Sequence, residues 1–153
     1  MIISMRSRVR SGASVVEFAL VAPIFFLIVL GLIEVGRAFM VTHLLTDAAR
    51  HGCRYAAIIE GTSTQTIKDT VTTYLSEFGI DAETVTVTIN DGSGNVTEAQ
   101  NVPAYSEMTV TASIPASTVT WLPTGVQIWL PGLGYCPVSM SGNLSGQFTM
   151  RRE

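Results

Sequence analysis

Apolar residues fall into three regimes along the chain. From Ala13 to Ile33 they are nearly continuous, and Glu17 is the only charged residue in that run. At about 1.5 Å rise per residue, such a helix covers about 30 Å, the thickness of a bilayer's hydrocarbon core. Beyond it the apolar positions thin to a stripe, Val41, Leu45, Ala48, Gly52, Tyr55 and Ile59, at alternating steps of four and three. That spacing predicts one face of a helix continuing out of the apolar run, with Arg37, Asp47, Arg50 and Arg54 between the stripe positions. Gly61 is a plausible stop, so the first helix is expected to run about 45 residues, far beyond the average. Pro23, inside it, removes one backbone donor and favours a local kink.

A second helix is predicted from Thr64 to Phe78, with Ile67, Val71, Tyr74 or Leu75, and Phe78 on one face. Ser63 or Thr64 is placed to cap its start and Gly79 to end it. The period then changes to two. Val85, Val87 and Ile89 alternate with threonines, and Asp91 to Asn95, DGSGN, supplies turn residues. Met108, Val110, Ala112 and Ile114 alternate likewise, and the run Val138, Met140, Leu144, Phe148, Met150 keeps even positions apolar. The fold class is therefore α+β, with a long N-terminal helix, a second helix and an antiparallel sheet of about three strands. Residues 118–137, containing WLPTGVQIWLPGLGYCP, read as neither regular helix nor regular strand. Trp121, Trp129 and Tyr135 within them are costly to leave in water, so the segment either covers the core or is a contact loop.

Charge and composition give the apolar run its setting. The chain has 153 residues, a net charge of −3 and 14% charged residues. That is a low charged fraction for a wholly soluble protein, and the acidic balance argues against nucleic acid as a partner. Arg6, Arg8 and Arg10 precede the apolar run. The positive-inside rule then keeps the N-terminus in the cytoplasm and sends the part after Glu34 outward. An ordinary secretory signal peptide is the competitor, predicting a mature start near Phe39, but its apolar region spans only about 7 to 15 residues. Cys53 and Cys136 both fall in the outward part, where a disulfide between them can persist; two unpaired thiols are the alternative.

Little chemistry is visible. No Ser/His/Asp set, phosphate-binding loop or CxxC pair occurs, and His43 and His51 are about 12 Å apart along a helix, too far to share a metal. Asp91, Ser93 and Asn95 echo the start of a calcium loop but lack the later glutamate, and a tight turn is the better account. No enzyme, metal, cofactor or small-molecule substrate is expected. What needs explaining is Glu17, because a carboxylate inside a bilayer costs roughly 2.5 to 3.5 kcal/mol on insertion scales. A side chain reaching back to the interface is one answer, and a charged partner is the other.

The stretch SGASVVEFALVAPIFFLIVLGLIEVGRAF resembles the TadE-like family of minor pseudopilins from tight-adherence, Flp-type pilus systems, and the ending GQFTMRRE is also similar to that family. The resemblance implies a type IV prepilin organisation: a short basic leader, residues 1–12, cut by an inner-membrane prepilin peptidase between Gly12 and Ala13. It implies a transmembrane helix at 13–33, its extracytoplasmic continuation at 34–61, and a small pilin-like domain at 62–153. Glu17 becomes the fifth residue of the mature chain, with Phe18 beside it, and the carboxylate pairs with the new amino terminus of a neighbouring subunit during assembly. The implied partners are the inner membrane, the peptidase and other pilins or pseudopilins of a pilus serving adhesion or secretion. Removing three arginines takes the formal charge from −3 to −6 before the new terminus is counted. A start at Met5 would shorten the leader, and the related TadF proteins share the N-terminal motif. An uncleaved, single-pass anchored extracytoplasmic binding domain is the alternative function.

Overall fold

The computed structural model describes residues 10–59, 61–120, 127–130, 134–137 and 142–152; residues 10, 11, 127–130 and 134–137 are described by their backbone alone. Helix α1 runs from Arg10 to Ile58, through Pro23 and without a break. The chain divides into two compact units, Met1–Gly36 and Arg37–Glu153. In the first, the apolar side chains of α1 are turned outward: Val15, Val16, Phe18, Leu20, Phe25 and Leu32 are all exposed. Phe25 and Phe26 meet edge to face, with ring centroids 5.8 Å apart.

In the second unit the same helix has a buried face. Val41, Leu45, Ala48, Ala49, Gly52, Cys53 and Ala56 are buried, whereas Ile58 and Ile59 are exposed. The expected stripe therefore holds to Gly52 and then rotates onto Cys53 and Ala56, leaving Ile59 outside the core. Helix α2, Thr64–Glu77, buries Ile67, Val71 and Leu75. The side chain of Ser63 accepts a hydrogen bond from the Thr66 amide at its start. At its end, Gly79 has φ +77°, while the Gly79 amide donates to Ser76 O and the Ile80 amide to Leu75 O. This pair of bonds satisfies the last carbonyls of the helix and calls for a residue that tolerates the left-handed region.

Strands β1 (Thr86–Asp91), β2 (Glu107–Pro115) and β5 (Asn143–Arg151) form one antiparallel sheet in the order β1-β2-β5. Alternation puts Val87, Ile89, Met108, Val110, Ala112 and Ile114 on the core face, against α1 and α2. The predicted fold class is the observed one. Two segments differ in detail. Residues 118–137 are not wholly irregular: after a short helix α3 (Ala116–Val119), β3 (Gln127–Leu130) and β4 (Gly134–Pro137) pair as a separate antiparallel ribbon. Its strands are only four residues long, too short for the period-two pattern to stand out between prolines and glycines. The last strand begins at Asn143, and Val138 and Met140, expected within it, lie outside the described residues.

Two glycines allow the layers to meet. A Cβ on Gly146 of β5 would stand 2.2 Å from Thr46 N and 2.5 Å from Leu45 C, so the strand touches the backbone of α1 there. A Cβ on Gly52 would stand 2.7 Å from a methyl of Val71, which brings α2 close to α1.

Candidate functional site

Gly12, Ala13, Glu17 and Phe18 lie in the first three turns of the described helix. All four are exposed, Phe18 by 70%. A side chain at Gly12 would meet nothing within 4 Å, so packing within the chain does not call for glycine there. Glu17 makes no ion pair among the described residues. It is a carboxylate on an apolar, outward-facing surface, the arrangement that a low-dielectric environment would penalise unless another molecule supplies a donor. From Gly12 this helix is long and apolar enough to cross a membrane. Arg6 and Arg8 lie outside the described residues, as does the side chain of Arg10.

The other predicted positions separate from this group. Cys53 is a free thiol, buried, which donates to Phe148 O at 3.1 Å. Burial pushes its pKa up to about 11, against a smaller opposing hydrogen bond with the Val110 backbone. It is an inert thiol in a core, not a reactive one. The side chain of Cys136 lies outside the described residues, as do Trp121 and the side chains of Trp129 and Tyr135. His43 and His51 are exposed; His51 stacks on Tyr74 with centroids 4.6 Å apart. Among the described residues no three His, Cys, Asp or Glu side chains gather as a metal site. At the DGSGN turn, Asp91 accepts from the Ser93 and Asn95 amides at 3.0 and 2.9 Å. Those bonds, Asn95 first, hold its carboxyl below the usual range, and they make it a turn-closing group.

Several residues that matter were not legible as sites. Glu34 is only 7% exposed, with one carboxylate oxygen unpartnered among the described residues. Arg152 donates to Ala99 O at 2.8 Å and Val102 O at 2.7 Å, fixing the turn before β2 to the end of β5. Its only sequence signal was its place in the ending GQFTMRRE. An open cavity of about 260 Å³ is lined by Arg37, Val41, Ile80, Asp81, Ile114 and Val119, among others, and holds no nucleophile paired with a base.

Residues 12–54 match the family model described as TadE-like protein. Over those residues the N-terminal helix is similar to that family. No curated protein and no solved structure matches the chain significantly. The matched segment starts at Gly12 and takes in Ala13, Glu17 and Phe18, and it extends to Arg54 through the positions that face the core, Val41, Leu45, Ala48, Ala49 and Cys53. The match thus covers one element with two kinds of surface, an exposed apolar one and a domain-facing one. Helix α2, the sheet and Arg152 lie beyond it.

Proposed function

We propose that this chain is a TadE-like minor pseudopilin, a non-enzymatic component of a tight-adherence pilus anchored in the bacterial inner membrane. The observation that carries this is the TadE-like match over 12–54, on a helix whose apolar side chains from Val15 to Ile33 face outward with a lone carboxylate near the start. A prepilin peptidase cuts between Gly12 and Ala13, at an exposed position where the fold does not demand glycine. The N-terminus before the cut is cytoplasmic, held by Arg6, Arg8 and Arg10, and residues 34–153 are extracytoplasmic.

Cleavage creates an amino group four residues before Glu17. In an assembly of apolar helices the Glu17 carboxylate pairs with that amino group on a neighbouring subunit, which offsets much of the desolvation cost of both charges. The exposed apolar surface first faces lipid and then other helices. The experiment is Glu17→Ala in the native host, scored for leader cleavage and for surface pili separately. Normal cleavage with pili reduced at least tenfold supports the pairing role; unchanged pili refute it. Unchanged migration of the Gly12→Leu chain, with the wild-type chain uncut as well, would favour an anchored binding domain instead.

A further inference from the structure

The open cavity of about 260 Å³ lies within the unit Arg37–Glu153, and its lining changes character from depth to rim. The aliphatic residues are buried: Val41 of α1, Ile114 of β2 and Val119 of α3 are 8%, 2% and 8% exposed. The polar ones stand toward solvent. Arg37, one turn before Val41 on the same face of α1, is exposed, as are Asp81 in the segment after α2 and Thr118 on α3, and Thr84 is half-buried. An apolar depth with a few convergent polar groups at its mouth is the usual form of a small-molecule site.

The rim has a donor side and an acceptor side. Arg37 makes no hydrogen bond, ion pair or ring contact among the described residues, so the N–H groups of its guanidinium are free for a ligand. Asp81 accepts from the Glu83 amide through Oδ1 at 3.2 Å, and its second oxygen makes no hydrogen bond among the described residues. The Thr84 hydroxyl donates to Asp81 O at 2.7 Å and the Thr118 hydroxyl to Pro115 O at 2.7 Å. With those hydrogens committed, both hydroxyls meet a ligand as acceptors. Arg37 and Asp81 are not paired with each other. One cavity thus presents an unpaired cation and an unpaired anion, the complement of a zwitterion.

Size, charge and place on the chain select the occupant. The volume falls below the roughly 300 to 1,000 Å³ of drug-sized sites, so the cavity takes a headgroup and leaves acyl chains outside. The guanidinium matches a phosphodiester, which accepts two parallel N–H bonds from it. The acceptor side matches a primary ammonium, whose three N–H donors meet one carboxylate oxygen and two hydroxyls. A quaternary ammonium has no proton to donate and is held by aromatic rings, and no ring lines the cavity among the described residues. Arg37 follows Glu34, where the apolar run has ended, by three residues. Three residues of chain span at most about 11 Å, a bound set by chain length alone. The headgroup layer beyond the hydrocarbon is about 5 to 7 Å thick on each side, and a long arginine side chain reaches headgroups from such a position.

We propose that this cavity binds the headgroup of a membrane phospholipid that carries a phosphodiester and a primary amine, the chemistry of phosphatidylethanolamine. Arg37 holds the phosphodiester, and Asp81 with Thr84 and Thr118 holds the ammonium. The inference rests on the membrane anchoring proposed above and adds to it a ligand site outside the matched residues on three of its four polar positions. The lipid comes from the extracytoplasmic leaflet, next to the end of the apolar run. A filled cavity ties the extracytoplasmic part to that leaflet through a lipid as well as through α1, and transfer of the subunit into a pilus has to empty it.

The test is native mass spectrometry of the chain purified in detergent from its native membranes and mixed with equal concentrations of the dioleoyl forms of phosphatidylethanolamine, phosphatidylcholine and phosphatidylglycerol. One phosphatidylethanolamine per chain should be retained at least fivefold over either of the others. Arg37→Ala should reduce that retention at least tenfold without shifting thermal unfolding, since Arg37 bonds nothing among the described residues. Asp81→Asn keeps an oxygen for the Glu83 amide and removes the anion, so it should bring ethanolamine and glycerol lipids to within twofold of each other. Soluble glycerophosphoethanolamine should displace the lipid only at tenfold or more higher concentration; equal potency would overturn the lipid as the ligand. Equal retention of the three lipids, retention of none, or unchanged selectivity in the Arg37→Ala chain would each overturn the proposal. N-terminal sequencing of the same preparation separates the two levels. A start at Ala13 without selectivity refutes the headgroup site and leaves the pilus function standing, whereas selectivity in a chain that retains residues 1–12 leaves the site standing and contradicts the pseudopilin reading.

Discussion

Gly146→Ala is a methyl-sized change whose cost follows from one contact. The new Cβ would sit 2.2 Å from Thr46 N and 2.7 Å from Thr46 Cα, where 3.0 Å is already the practical limit. Neither neighbour is a side chain that can rotate away, so α1 and β5 must part by about 0.8 Å or more. A gap of that size on one side of Leu45 and Cys53 forfeits about a quarter to a half of the dispersion energy of each contact across it. Alanine recovers roughly 0.5 to 1 kcal/mol through lower chain entropy in the unfolded state, since Gly146 does not have a positive φ. The net expectation is about 3 kcal/mol of destabilisation, near the upper end for overpacking. For a domain of this size that lowers Tm by about 10 to 15 °C. The assay is thermal unfolding of the full chain in detergent, followed by near-ultraviolet circular dichroism. Gly52→Ala is the control: its Cβ meets a Val71 methyl at 2.7 Å, which can shift, so about 1 kcal/mol is expected. A loss below about 1 kcal/mol at Gly146, or a larger loss at Gly52, would refute the backbone contact.

The Cys53 thiol should resist N-ethylmaleimide at pH 8 in the native chain and react once the chain is unfolded. Its pKa is raised from 9.0 to about 11, so the stability it contributes is complete below pH 9 and falls by about 2 to 3 kcal/mol by pH 11; Cys53→Ala should flatten that slope in urea titrations. Asp91 behaves in the opposite sense: its carboxyl titrates below 3.8, its contribution is present above that pH and is lost as pH falls, and its NMR midpoint should rise toward 3.8 in the Asn95→Gly chain. Arg152→Ala leaves the Ala99 and Val102 carbonyls without their donor and should cost about 2 kcal/mol, with faster amide exchange across residues 99–106 as the local signature.

The architecture was legible where a single period governs a segment. Continuous apolarity marked the first part of α1, the four-and-three spacing marked its core face to Gly52, and strict alternation marked β1, β2 and β5. The later rotation of the α1 stripe was hidden because Ala49, Cys53 and Ala56 are small and offer less apolar area to bury than the larger Tyr55 and Ile59. β3 and β4 were missed because four residues hold only two repeats of a period of two. The Gly146 contact was illegible for another reason: a glycine in an alternating strand does not announce what approaches it. At the N-terminus the position was reversed. Gly12 and Glu17 stood out in the sequence because neither fits the apolar run, and the fold itself gives no internal partner to Glu17 among the described residues.

The central claim is that the chain is a processed pseudopilin subunit, and its mature N-terminus tests it most directly. Intact mass and N-terminal sequencing of the protein purified from its native membranes should give a chain beginning at Ala13, with Glu17 as its fifth residue. A chain that retains residues 1–12, or one that begins near Phe39, would contradict the account.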